Sequence, residues 1–230
     1  MSSPAPFTLL EKAIGVRFRK KDHVIQALVH RSAVRESSTY GNNERLEFLG
    51  DAVLELVATE YLFRVSGRSE GELTNWRSAL VQGEHLAQVA RELKLGEYLF
   101  MSRGEEASDG RAKSSTLANA LEALIGAIYL DRGFEEAKQF CETHILRHLQ
   151  ELIAQGKHRD EKSFFQERSQ EKHGVTPHYE VLEEVGPDHE KNFTSAVYIG
   201  EEKIAVGSGN SKQRAEQAAA KAALKAKGWK

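Results

Sequence analysis

The sequence predicts an all-α domain followed by a small α+β domain of order α-β-β-β-α. Three observations carry that prediction. Up to about Gln155 the apolar residues recur at helical spacing, and no period-2 run of useful length interrupts them. A polar stretch, Gln155–Lys162, then lacks any apolar anchor. Beyond it the period shortens to two over Tyr179–Val185 and Phe193–Ile199 before an Ala- and Lys-rich helical segment closes the chain. The implied boundaries are a helical domain over 1–154, a linker over 155–161 and an α+β domain over 162–230.

In the first part, helices are expected within Phe7–Ile14, Asp22–His30, Glu44–Phe63, Leu73–Leu93, Thr116–Leu130 and Phe134–Ile153. Stop signals stand at Gly15, Gly67, Gly96 and Gly133. Ser102–Ser115 reads as a long irregular loop. In the second part, Ser163–His173 reads as a short helix ended by Gly174. Phe193, Ser195, Val197 and Ile199 share one face of a strand, and Lys203–Gly207 forms a third strand. The final helix spans Lys212–Lys227, with Asn210 or Ser211 as its N-cap. Ala215, Ala219, Ala222 and Ala226 offer a small-residue face for packing on the sheet.

Composition narrows the function. The 230 residues are 40% hydrophobic and 29% charged, an ordinary globular composition. A net charge of −2 excludes a globally basic coat but not a local basic patch. With Cys141 the sole cysteine, no intrachain disulfide or Cys-based zinc site can form, as expected in a reducing compartment. Met1 to Gly15 shows no secretory pattern, and the most apolar stretch, Leu117–Leu130, is too short for a bilayer and carries Glu122. A cytoplasmic protein without membrane attachment is expected.

The most informative stretch is Asn43-Glu44-Arg45-Leu46-Glu47-Phe48-Leu49-Gly50-Asp51-Ala52-Val53-Leu54. At 100° per residue, Glu44, Glu47 and Asp51 fall within about 60° of one another on a helix. Crowded acids disfavour folding unless something positive compensates. A solvated acidic stripe is the plain alternative. In Leu117–Leu130, Asn119 and Glu122 are the strongly polar residues, three apart on a helix that is apolar nearly all round and so expected to be buried. A buried carboxylate needs a partner, either an arginine such as Arg45 or Arg77, or a metal. If both helices face one cavity, Glu47, Asp51, Asn119 and Glu122 offer hard oxygen ligands suited to Mg²⁺, with the number of ions left open.

The stretch NERLEFLGDAVL resembles the signature of the ribonuclease III family. Ala27-Leu28-Val29-His30-Arg31-Ser32 and LANALEALIGAIYLD resemble further blocks of that family in the same order, and the likeness spans nearly the whole chain. The resemblance implies a homodimeric endonuclease for double-stranded RNA that uses Mg²⁺, with Mn²⁺ able to substitute. It implies 5′-phosphate and 3′-hydroxyl products and work in ribosomal RNA maturation and message turnover. Glu47, Asp51 and Glu122 match its metal-binding acids, and Asp51 and Glu122 its catalytic positions. Glu44 and Glu70 match acids nearer the substrate. Asn119 stands where the family usually has Asp, leaving the four-group site with one negative charge fewer. Phe48 reads as a core or subunit contact.

The carboxy-terminal part, Glu161–Lys230, balances 11 basic against 11 acidic residues, yet Ser211–Lys230 holds six basic residues against Glu216 alone. The helix dipole adds positive potential near Lys212 and Arg214. This module resembles the double-stranded-RNA-binding domain through Gln166-Glu167, Gly186-Pro187-Asp188-His189 and Ser211-Lys212-Gln213-Arg214-Ala215-Glu216. The likeness implies that Gln166, Glu167 and His189 meet minor grooves, and that Lys212, Gln213 and Arg214 meet phosphates between them. Two alternatives stay open: a duplex-binding protein with a lapsed nuclease site, and a metal-dependent hydrolase of small phosphorylated molecules.

Overall fold

Helix α1 (Phe7–Ile14) and helix α2 (Lys21–Ala27) lead into α3 (Glu44–Val65), the longest element, in the computed structural model, which describes residues 7–33, 41–154, 161–187 and 191–229. There follow α4 (Glu70–Val81), α5 (Gly83–Glu92), α6 (Arg103–Ala107), α7 (Ser114–Arg132), α8 (Phe134–His144) and α9 (Leu149–Ala154), with short 3₁₀ turns between some of them. The chain divides into two compact units, Met1–His158 and Arg159–Lys230.

In the first unit α7 is the central element. It is buried on nearly every side, from Leu117 through Ile128, and packs most extensively on α3. Leu54, Val57, Ala58 and Leu62 of α3 supply much of the opposing core. At the far end of α7 the buried Asp131 carboxylate accepts the backbone N–H groups of Arg19 (2.7 Å) and Lys20 (2.8 Å). Those two donors and that carboxylate satisfy one another without water, as buried polar groups require. Cys141, on α8, is fully buried.

Four expectations change here, the first being that the span read as one helix over Phe134–Ile153 is α8 and α9, separated by a 3₁₀ turn over Leu146–His148. The span read as one helix over Leu73–Leu93 is two, α4 and α5, broken where Gln82 is extended (φ −61°, ψ 134°). The stretch expected to be an irregular loop, Ser102–Ser115, holds α6 and then the start of α7. Its order has a tertiary cause: the Arg111 guanidinium donates to the carbonyls of Gly96 (3.0 Å) and Leu99 (2.6 Å) and pairs with Glu106 (2.6 Å). Phe48 is not core, being 81% exposed.

In the second unit, α10 (Glu161–His173) precedes an antiparallel sheet in the order β1 (His178–Val185), β2 (Asn192–Ile199) and β3 (Glu202–Gly209), closed by α11 (Lys212–Lys227). The register pairs Val181 with Ser195 and Ala196 with Val206. Phe165, Val197, Ala219, Ala220, Ala223 and Leu224 form the core. The small-residue face of α11 is therefore Ala215, Ala219, Ala220 and Ala223. Ala222 is half-buried and Ala226 exposed, so the helix is rotated from the expected setting. Gly207 lets β3 touch α11, since a Cβ there would lie 2.1 Å from the Ala219 nitrogen.

Candidate active site

Two glycines set the geometry of the site. A Cβ on Gly50 of α3 would stand 1.7 Å from the Glu122 carbonyl oxygen of α7, and one on Gly126 of α7 would stand 2.3 Å from the Leu46 carbonyl oxygen of α3. The two helices thus cross backbone to backbone. Glu47 and Asp51 flank Gly50, and Glu122 lies one turn before Gly126, so the acids of both helices meet at the crossing. The sequence reading passed over both glycines. Their signal was a glycine inside each of two strongly helical stretches, a placement that costs about 1 kcal/mol relative to Ala unless packing requires it.

The electrostatics show how near these groups are. The Glu122 carboxyl is pushed up to about 7, first by burial, then by the charges of Asp51 and Glu47. Glu47 is also raised, first by burial; a hydrogen bond from Asn119 partly opposes this, while Glu44 and Asp51 add repulsion. The arginine alternative for Glu122 fails: Arg77 pairs with Glu55 at 3.0 Å, and no ion pair among the described residues reaches Glu122. The structure therefore brings Glu44, Glu47, Asp51, Asn119 and Glu122 into one neighbourhood. Among the described residues, no three His, Cys, Asp or Glu side chains close to metal-binding distance. All the donors are hard oxygens, and Arg31 offsets only part of the charge at Glu47 while no cation of the protein acts on Glu122, so the set fits a divalent cation of the Mg²⁺ type.

A polar pocket of about 420 Å³ adjoins the crossing, sharing Glu44, Glu47 and Asn119 and adding His30, Arg31, Asn43, Glu105, Lys113 and Thr116. Glu70 is placed elsewhere. It opens α4, whose N-terminus is closed by a capping box between Ser69 and Glu72. There Glu70 lines a larger pocket of about 720 Å³ together with Leu62, Phe63, Leu73 and Arg77. Phe63 of this pocket is exposed, as is Leu56 elsewhere on α3.

In the second unit Gln166 and Glu167 are exposed on α10, and Lys212, Gln213 and Arg214 are exposed on the first turn of α11. Ser211 is the N-cap, its hydroxyl accepting the Arg214 N–H at 3.2 Å. The Lys212 ammonium lies 5.9 Å from the centroid of the Phe193 ring, so that side chain leans along β2. Arg214, Lys221 and Lys225 form an exposed basic stripe on the same helix. His189 lies outside the described residues, as does Asp188.

Comparison with known proteins covers both units. Residues 21–149 match the family model described as ribonuclease-III-like, and residues 161–227 match the double-stranded RNA binding motif. Ribonuclease 3 of Borreliella burgdorferi is 43% identical over 215 residues, covering 93% of this chain and 88% of that protein. Ribonuclease 3 of Syntrophomonas wolfei is 47% identical over 211 residues, covering 90% of this chain and 89% of that one. Among solved structures, the nuclease domain of ribonuclease III from Campylobacter jejuni, in which a flexible region takes part in dimer formation, aligns with a TM-score of 0.58 at 45% identity. It covers 62% of this chain and 97% of that one.

Proposed function

The chain belongs to the ribonuclease III family and is a double-strand-specific endoribonuclease, and on that premise we propose that Glu47, Asp51, Asn119 and Glu122 hold Mg²⁺, with Mn²⁺ able to substitute. The observation that carries this reading is the meeting of α3 and α7 acids at the Gly50–Gly126 crossing, where no cation of the protein neutralises Glu122. A bound divalent ion there supplies Lewis-acid polarisation of the phosphodiester and lowers the pKa of water.

The chain's own residues do the remaining work. Asp51 and Glu122 are the catalytic acids, and Glu47 and Asn119 complete the ligand set. Glu122, raised to about 7, would have to be deprotonated to serve as a ligand, so cation binding there would favour its carboxylate form. Glu44 and Glu70 act nearer the RNA. Gln166, Glu167 and His189 contact minor grooves, while Lys212, Gln213 and Arg214 hold phosphates and keep the duplex over the acids. The products carry 5′-phosphate and 3′-hydroxyl ends, and the substrates are ribosomal RNA precursors and structured messages in the cytoplasm. The working boundaries are 1–154 for the nuclease domain, 155–161 for a linker and 162–230 for the RNA-binding domain.

Two strands require two hydrolyses, and we assign the second to a symmetric partner copy. Exposed Phe48, Leu56, Phe63 and Val65 on α3 support a homodimer, as does the similarity to a Campylobacter domain with a dimer-forming region. Among the described residues no helix is long and apolar enough to cross a membrane. The test is cleavage of a perfect RNA duplex in Mg²⁺ by wild type and Glu122→Gln. The variant should bind the duplex and fail to cut it; cutting at the wild-type rate would remove Glu122 from the mechanism.

A further inference from the structure

The pocket beside the acids contains polar groups that the protein does not use. Asn43 is 5% exposed and Thr116 is 9% exposed, and both line the pocket. The Asn43 backbone is engaged on both sides, its N–H donating to the Val29 carbonyl (3.0 Å) and its carbonyl accepting the Glu47 N–H (2.9 Å). Its side chain makes no N-cap bond to α3, and α7 begins on Lys113 without a side-chain cap either. Among the described residues, neither the Asn43 amide nor the Thr116 hydroxyl makes a side-chain hydrogen bond. Neither is among the enclosed side-chain atoms left without a partner, so both open onto the pocket, where a ligand can take the place of water.

His30 supplies a third group of defined polarity. Its Nδ1 accepts the Ser32 backbone N–H (3.2 Å) and lies 2.8 Å from the Ser32 hydroxyl. That hydroxyl in turn accepts the Ser102 N–H (3.1 Å). With Nδ1 occupied as an acceptor, the neutral ring carries its proton on Nε2.

The charge balance selects the ligand class. Arg31 and Lys113 face Glu44, Glu47 and Glu105 across the pocket, and Lys113 is already paired with Glu105 at 2.7 Å. A second phosphate would enter against excess negative charge. The unpartnered groups are instead neutral, and both the amide and the hydroxyl can donate and accept. A ribose 2′-hydroxyl, itself donor and acceptor, matches them. Glu47 and Asn119 belong to both pocket and acid cluster, so the pocket lies where a nucleotide beside the scissile bond would sit.

We propose that this pocket is a ribose subsite, in which Asn43 and Thr116 bind the 2′-hydroxyl of a nucleotide next to the bond that is cut. The inference rests on the hydrolytic reading of the acid cluster. It adds a checkpoint for ribose at the cleavage site to the shape recognition provided by the second unit.

The test is single-turnover cleavage of an end-labelled duplex in Mg²⁺, all-ribose or carrying one 2′-deoxy nucleotide at successive positions around the scissile bond. Wild type should lose roughly three- to tenfold in rate at one position, the worth of a neutral hydrogen bond. Asn43→Ala and the near-isosteric Thr116→Val should each slow cleavage of the all-ribose duplex by a similar factor and show a reduced or absent penalty at that position. Should Asn43→Ala fail to fold, Thr116→Val alone decides. The subsite is overturned if wild type shows no position-specific penalty, or if the variants keep the full one. Failure of wild type to cut the all-ribose duplex would instead remove the hydrolytic reading, and the subsite with it.

Discussion

The α3–α7 crossing and the β3–α11 contact solve one packing problem for opposite electrostatic ends. Each uses glycine to bring two backbones together: Gly50 and Gly126 in the first unit, Gly207 in the second. In the first, the close approach gathers acids, and the result is a Glu122 carboxyl held near 7 by burial and its neighbours. In the second, the same device sinks the alanine face of α11 into the sheet and leaves Lys212, Arg214, Lys221 and Lys225 pointing to solvent. On the proposed reading, the costly charge of the acids draws a cation in, whereas the exposed charge of α11 is left cheap because phosphates come to it.

The sharpest way to break this comparison is to fill the glycines. Gly50→Ala should abolish detectable cleavage and destabilise the nuclease unit by about 3 kcal/mol or more, because all three obstructing atoms are backbone. Gly207→Ala should instead melt the second unit preferentially and weaken duplex binding. Thermal melts paired with cleavage and binding assays separate the two, and equal loss of cleavage in both variants would defeat the distinction.

On the basic side, Lys212→Ala combined with Arg214→Ala should weaken duplex binding by roughly ten- to a hundredfold at moderate salt. It should also flatten the dependence of log affinity on log salt by about one to two units, with little change in the rate at saturating enzyme. Titrations at several salt concentrations read both quantities.

A smaller effect concerns pH. The folded-state value of Glu122 lies above the ordinary carboxylate value of 4.5, at about 7. The metal-free folded protein therefore binds more protons than the unfolded chain between those limits. Its stability is highest, as far as this group is concerned, below 4.5 and falls as pH rises toward 7. Metal-free Glu122→Gln should gain in melting temperature over wild type as pH increases across that window, and Mg²⁺ should recover the loss for wild type only. A difference independent of pH would mean that neither burial nor the neighbouring acids raise Glu122.

The smallest expected change is that of Asn119→Asp. Restoring a fourth negative charge should lower the Mg²⁺ concentration for half-maximal cleavage by a few-fold, since affinity for a hard cation follows ligand charge. An unchanged or raised requirement would show that the Asn119 amide, which supports Glu47, serves as well as a carboxylate.

Much of this was legible in the residues. Period-2 alternation marked the strands, and helical spacing placed Glu44, Glu47 and Asp51 on one face. Other features depended on contacts distant in sequence. The break at Gln82 is marked in the sequence only by Gly83, which opens α5 and by itself does not separate a helix break from a tolerated helical glycine. Helix α6 is too short to announce itself and depends on Arg111 reaching the carbonyls of Gly96 and Leu99. Phe48 sits in an apolar run that reads as core, yet its side of α3 faces outward. The unpartnered Asn43 amide is invisible in sequence, because asparagine before a helix ordinarily reads as a cap.

Cys141 has a practical consequence. It is the only thiol of the chain, fully buried and pushed up to about 12 by its apolar surroundings. The native protein is therefore a ready background for site-directed labelling. A cysteine introduced at an exposed position such as Gln213 would stand alone in reacting with a maleimide dye, so fluorescence can follow the encounter with duplex RNA without first removing a natural residue.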